Sequence, residues 1–316
     1  MKWEKLGKIF DPRDHALASD CKEFAQAPQV VVFPEFVRVF FSTRERDAVG
    51  KFLSHVAFVD MDRSFERVLR VSSHQVIPLG ARGTFDEHGI FPISPLRVGD
   101  RIYAYTTGWT RRVSVSTDSG IGLAISDDGG ETFVRHGQGP VLSASLHEPF
   151  LVSDGFVIQH DGRFHMWYIY GQRWIRPSES GAPDRVYKIA HATSADGINW
   201  IKSQSEVIPD RIDVDECQAL PTVTFHDGRF HMVFCYRHAT DFRRNRERGY
   251  RLAHATSTDL IHWQRDDAPV LPMGTGDEWD ADMQCYPHLV RVDRATYLLY
   301  NGNEFGRFGF GLARAV

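Results

Sequence analysis

Carboxylates recur at a fixed distance ahead of a column of prolines. Glu23, Glu87, Glu216 and Asp282 each stand five residues before Pro28, Pro92, Pro221 and Pro287, and Asp20, Asp86, Asp215 and Asp280 flank them. Where a fifth copy is due, the nearest acids are Glu148 and Asp154. If these side chains face one axis, their charges crowd together, raising some pKa values and leaving others low. A raised acid beside an ionised carboxylate is the pairing that glycosidic cleavage uses. The plainer reading of the same column is loop and turn chemistry. Four arginines, Arg44, Arg46, Arg173 and Arg237, sit at the ends of aromatic segments. A guanidinium there suits a carboxylate or phosphate on a sugar. Trp109, Trp167, Trp174, Tyr170, Tyr236 and Tyr286 are candidate stacking surfaces for sugar rings.

An internal repeat must position these residues. YKIAHATSADGINW (187–200) and YRLAHATSTDLIHW (250–263) match almost letter for letter. IGLAISDDGGETF (121–133) is a third copy, HVAFVDMDRSF (55–65) a weaker one and FGLARAV a truncated one at the C-terminus. Their shared alanines are Ala57, Ala124, Ala192, Ala255 and Ala313, spaced by 67, 68, 63 and 58 residues. A period of this length with four short strand signals per copy describes propeller blades. Each copy has an apolar strand, a turn often marked by Asp-Gly, an aromatic strand, the alanine strand, and a Ser-x-Asp turn leading to Trp or Phe. The expected fold is all-β: a five-bladed β-propeller in one domain, residues 1–316, with four antiparallel strands per blade. The last copy stops after its third strand. Trp3 and Pro12 have the spacing of Trp200 and Pro209 and of Trp263 and Pro272. Residues 3–10 are therefore expected to supply the missing outer strand and close the ring.

Composition narrows the function classes. With 42% hydrophobic residues, 12% aromatics and a net charge of −4, the chain has core-building capacity and no basic field, so nucleic acid is not an expected partner. No run approaches a membrane span, the N-terminus lacks a signal peptide, and no CxxC pair marks a zinc cluster, so a cytoplasmic location is expected. Of the 15 histidines, His165 and His231, like His191 and His254, occupy matched positions and read as packing residues. His88, His147 and His288 lie on or near innermost strands and can face a pocket.

The motifs HDGRFHMWY, HDGRFHMVF and A-x-S-x-D-G-x-x-W resemble those of the five-bladed propellers of glycoside hydrolase families 32, 43, 68, 117 and 130. The tail YNGNEFGRFGFGLA resembles the last blade of divergent members, among them propeller domains associated with glycosyltransferases. The resemblance spans the whole chain. It implies three acids from the first three blades, the first in an Asp-Pro pair. Here that pair is Ala27-Pro28, and the second blade has Phe91-Pro92. The expected catalytic set is therefore Glu148 or Glu216 as acid, Glu23 (or Asp20) or Glu87 as base, and Asp154 as tuner of the acid's pKa. Arg44 and Arg237 are expected to hold an anionic group, with Asp86, His88, Trp109, Arg173, Asp282 and Tyr286 completing the substrate site. No cofactor and no metal is expected. The function this implies is cleavage or transfer of a glycosidic bond, by hydrolysis or phosphorolysis, on a carbohydrate or sugar phosphate. A non-catalytic sugar-binding propeller assisting glycan synthesis and a metal-dependent sugar-modifying enzyme using His88 or His288 are the alternatives.

Overall fold

The computed structural model describes residues 1–18, 21, 23–176, 182–266 and 268–316. Asp20 lies outside the described residues. The chain is all-β. After β1 (Trp3–Phe10) come β2 (Glu23–Val32), β3 (Val37–Arg46), β4 (Phe52–Met61) and β5 (Val68–Val71). Next are β6 (Gly89–Val98), β7 (Arg101–Arg111), β8 (Thr117–Ser126) and β9 (Val134–Arg135). The third set is β10 (Val152–His160), β11 (Arg163–Ile175), β12 (Asp184–Ser194) and β13 (Trp200–Glu206). The fourth is β14 (Cys217–His226), β15 (Arg229–Arg237), β16 (Arg251–Ser257) and β17 (Gln264–Asp266). Finally come β18 (Cys285–Val292), β19 (Ala295–Asn301) and β20 (Phe310–Ala315). Each set pairs antiparallel in chain order. The first two sets touch through one parallel pair, Ser54 with Gly89. β1 pairs antiparallel with β20, from Trp3–Ala315 to Phe10–Phe310, and so stands as the fourth strand of the C-terminal sheet. Among the described residues no helix is long and apolar enough to cross a membrane.

Local sequence explains the turns. Asp161-Gly162 and Asp227-Gly228 both adopt left-handed backbone, as a two-residue hairpin loop requires. In the Ser-x-Asp turns, Asp196 accepts from the Ile198 and Asn199 N–H groups at 2.8 Å, and Asp259 accepts from Ile261 and His262 at 2.9 and 2.8 Å. Those carboxylates are turn formers. The matched histidines form stacked, hydrogen-bonded pairs: His165 Nδ1 is 3.1 Å from His191 Nε2, and His231 Nδ1 is 2.9 Å from His254 Nε2.

A buried ion pair recurs from sheet to sheet. A carboxylate in the segment entering the first strand meets a cation on the fourth strand of the same sheet. Asp86 meets Arg135 of β9 at 2.6 Å, and Glu148 meets Lys202 of β13. Glu216 meets Arg265 of β17 at 2.6 Å, and Asp280 meets Lys5 of β1 at 2.7 Å. All four carboxylates are buried. Neutral groups complete their shells: Tyr168 donates to Glu148, Tyr300 and Gln284 to Asp280, and Gln218 to Glu216. The first sheet departs from the pattern, since Arg70 of β5 pairs with Asp60 of β4 at 2.8 Å.

The first strands carry a second shared device. β2, β10, β14 and β18 each slip register at a left-handed residue, Ala27, Asp154, Leu220 and Tyr286, followed by Pro28, Gly155, Pro221 and Pro287. In β6 the slip falls at Phe91-Pro92, a cis peptide. Such bulges bend a strand and re-aim its side chains. Beyond the bulge, side chains of the neighbouring strand accept the freed N–H groups. Val30 donates to His288 Nε2 (3.0 Å), Val157 to Ser94 (3.1 Å) and Leu289 to Thr222 (3.0 Å), so first strands are tied to first strands.

These contacts set two expectations for stability. Arg265→Met leaves Glu216 buried and uncompensated, and is expected to cost about 3–5 kcal/mol in denaturant unfolding. The double variant Arg265→Met/Glu216→Gln should recover part of that loss, and a null effect of the single variant would refute the clamp. Burial, reinforced by the partner ring, pushes His191 and His254 down to about 4, and burial alone pushes His288 to about 3. An unfolded histidine titrates near 6.5. These residues therefore contribute stability that is complete above about pH 6.5 and is lost as pH falls toward 4. The urea midpoint should fall steadily across that interval.

Candidate functional site

The bulged ends of the first strands open into a cavity of about 510 Å³ walled by residues of every sheet. Asp154, at the bulge of β10, is the only carboxylate among its described lining residues. The bulge holds Asp154 in left-handed backbone, with its N–H donated to Thr107 Oγ1 at 2.8 Å. Burial raises its pKa to about 6, against the opposing effects of the Ser153 hydroxyl, which donates at 2.7 Å, and of the Arg185 charge. It is thus a carboxyl group able to hold a proton near neutral pH.

Around it stand guanidinium groups that the protein orients without neutralising. Arg44 donates from Nε to Gln26 Oε1 at 2.8 Å, while Gln26 Nε2 is anchored on the Phe305 carbonyl at 2.6 Å. Desolvation pulls the Arg44 pKa down. Arg185 donates to Thr117 Oγ1 at 2.8 Å. Arg237 is buried, donates to the His238 carbonyl at 2.7 Å and to the Tyr187 hydroxyl at 2.8 Å, and lies 3.5 Å from the Phe242 ring centre. Among the described residues none of these three has an ion-pair partner. Arg243, more exposed, is 3.7 Å from Asp184. Aromatic rings fill the remaining wall: Phe91 meets Tyr286 edge-on at 5.3 Å, and the Tyr187 and Tyr250 hydroxyls are 2.6 Å apart. Trp109 completes it, with an indole packed so close to Gly89 that a Cβ there would lie 2.2 Å from its Nε1.

Of the residues the sequence singles out, Arg44, Trp109, Asp154, Arg237 and Tyr286 line this cavity. The others are elsewhere. Glu148, Glu216 and Asp86 are held in the buried clamps, because each lies in the segment entering a first strand and meets a fourth-strand cation. Glu23 pairs with Arg307 at 2.7 Å, and Arg173 pairs with Asp215. Asp282 is half-exposed, 3.7 Å from Arg246. Glu87 accepts from the Gly83 N–H at 2.8 Å and lies with His88 in an adjoining cleft. Glu23, Glu87, Glu216 and Asp282, the column itself, thus lie outside the described lining of this cavity, and Glu216 is held in a clamp. Gln26, Arg185, Tyr187 and Tyr250 are wall residues that the sequence reading passed over. Tyr187 and Tyr250 open the two best-matched repeats, which was the available signal. The register of Asp154 was also legible in principle: Gly155 takes the proline's place, so Asp154-Gly155 occupies the position of the expected Asp-Pro pair.

Two outcomes check this geometry. The Asp154 carboxyl should titrate near pH 6 by carbon NMR, and Ser153→Ala should raise it further. A value near 4 would mean that the carboxyl is solvated. Gly89→Ala should displace Trp109 and shift its fluorescence without unfolding the sheets.

Comparison with known proteins places the chain. No family model matches it. It is 32% identical over 99% of its length, and 99% of theirs, to the proteins named "Uncharacterized protein MT1551" and "Uncharacterized protein Rv1502" of two strains of Mycobacterium tuberculosis. Among solved structures, one described as a glycoside hydrolase superposes with a TM-score of 0.73 at 15% identity, over 99% of this chain and 92% of that one. The β-1,2-mannobiose phosphorylase from Listeria innocua gives 0.67 at 11% identity, over 99% and 96%. A thermostable family-43 glycoside hydrolase gives 0.61 at 11%, over 92% and 88%. The chain belongs to the family of the two mycobacterial proteins, a divergent branch with the β-propeller fold of the glycoside hydrolases and phosphorylases.

Proposed function

We propose that the protein is a carbohydrate-active enzyme that cleaves or forms a glycosidic bond in the axial cavity of a single five-bladed propeller, closed by its N-terminal strand. Within that class, the cavity favours phosphate over water as the attacking group. The observation that carries this reading is the pairing of one protonatable carboxyl, Asp154, with three guanidinium groups that have no carboxylate partner among the described residues. Hydrolysis by the two-carboxylate route needs a second acid to activate water or to act as nucleophile. Phosphate is already nucleophilic and anionic, and guanidinium groups hold it in two-point contacts. In the reaction, a phosphate oxygen forms the new bond to the anomeric carbon as the bond to the leaving oxygen breaks. Asp154 gives its proton to that oxygen, and the proton carried in on hydrogen phosphate restores the acid. A mannobiose phosphorylase shares the fold, which makes this chemistry compatible with it.

Asp154 is the only carboxylate among the described lining residues, which also favours the reading of a sugar-binding propeller without turnover, and one assay separates the two. Purified protein is incubated with a panel of oligosaccharides, with and without phosphate. Sugar 1-phosphate should appear only with phosphate. Asp154→Asn should lower turnover at least ~10²-fold, and Arg44→Met should raise the KM for phosphate. Because the acid form of Asp154 is needed, turnover should fall as pH rises through about 6. Equal turnover in phosphate-free buffer would overturn phosphorolysis, and saturable binding without turnover would leave the binding reading.

A further inference from the structure

We infer that a cleft beside the central cavity is a second carbohydrate subsite, which takes a neutral sugar unit of the same ligand. This rests on the carbohydrate reading of the cavity. The cleft, of about 410 Å³, lies between the segment entering β6 and the end of β7, and shares Ser119 with the central cavity. The two spaces are therefore neighbours.

An aromatic step separates them. Trp109 lines the central cavity, and its ring stacks on that of His88, 6.1 Å away and inclined by 25°. His88 lines the cleft. The indole is fixed by a bond from Nε1 to Ser54 Oγ at 3.2 Å and by the absence of a side chain at Gly89. A flat, immobilised aromatic pair between two polar spaces gives adjacent sugar rings apolar faces to lie against.

The charges assign the units. In the cleft the guanidinium groups are neutralised within the protein, Arg111 by Asp47 at 2.7 Å and Arg112 by Asp118. Thr110 and Ser119 add hydroxyls, and the buried Nδ1 of His88 has no hydrogen-bond partner. Such a lining matches the hydroxyls of a neutral sugar and offers nothing to a free anion. The central cavity holds the unpaired guanidinium groups instead. The ligand is thus at least two units long, with its anionic or phosphate-accepting part in the centre and a neutral unit in the cleft.

The test is binding, which does not depend on turnover. Methyl glycosides of glucose, mannose and galactose, and their matched di- and trisaccharides, are titrated calorimetrically against the full-length protein. At least one series should gain about tenfold in affinity from methyl glycoside to disaccharide, a difference of about 1.4 kcal/mol. His88→Ala should reduce that gain to threefold or less, on the order of 0.7 kcal/mol. Arg112→Ala, at an exposed position, supplies the same test should His88→Ala fail to fold. Binding of methyl glycosides with no gain on lengthening, or a gain untouched by the folded variants, would overturn the second subsite alone. Failure of every sugar to bind would overturn the carbohydrate reading, and the subsite with it.

Discussion

In four of the five strand sets the fold depends on holding the fourth strand against the segment that enters the first. Two of these fourth strands are short, two residues in β9 and three in β17, and their ladder bonds alone hold them weakly. The buried carboxylate–cation clamp supplies the missing constraint. It joins two parts of one sheet that the backbone ladder does not connect, and its low-dielectric setting makes mispairing costly. In the C-terminal sheet the cation comes from the other end of the chain: Lys5 reaches Asp280 just as Arg265 reaches Glu216. The N-terminal strand thus enters by the same chemistry as its counterparts, and the two chain ends are locked by a side-chain contact as well as a strand pair.

The bulge is the complementary constraint a few residues into the first strands. In β2, β10, β14 and β18 a left-handed residue followed by proline or glycine interrupts the ladder, and in β10 and β18 that residue, Asp154 or Tyr286, lines the cavity. The freed N–H groups then need acceptors, and they take them from the next first strand, through His288, Ser94 and Thr222. One local irregularity therefore does two things: it aims a side chain and it binds neighbouring sheets together. Every first strand slips register here, and the residue at the slip differs from strand to strand. Ala27, Phe91, Leu220 and Tyr286 make four of the five positions non-acidic, and Asp154 is the exception.

The architecture was legible in the sequence because it is written in repeats. The Asp-Gly turns, the Ser-x-Asp turns and the alanine strand each have a short-range cause, and each recurs. The pairing of residues 3–10 with the last strand was legible for the same reason, through the Trp–Pro spacing. The acids were not so transparent. Glu216 and Asp280 recur close to one column because a clamp recurs, and a recurring structural carboxylate looks the same in sequence as a recurring catalytic one. What tells them apart is the partner, and Arg265 and Lys5 lie 49 and 275 residues away. The place of Asp154 in the cavity is hard to read because glycine replaces the proline that marks its column. The place of Arg185 is not legible because it depends on the strand end that presents it, and no local pattern marks that.

The cavity's charge is the step that links this frame to chemistry. Guanidinium groups in a half-enclosed space are costly to desolvate, and proteins ordinarily answer them with carboxylates. Here carboxylates are plentiful nearby, yet those entering the first strands are bound in clamps. Arg44, Arg185 and Arg237 are held by an amide, hydroxyls and carbonyls. Neutral acceptors fix the direction of a guanidinium while leaving its charge unanswered. An arrangement that orients positive charge without cancelling it suits an anionic ligand, and the proposed phosphorolysis rests on that charge together with Asp154, the one carboxyl among the described lining residues, whose burial raises its pKa to about 6.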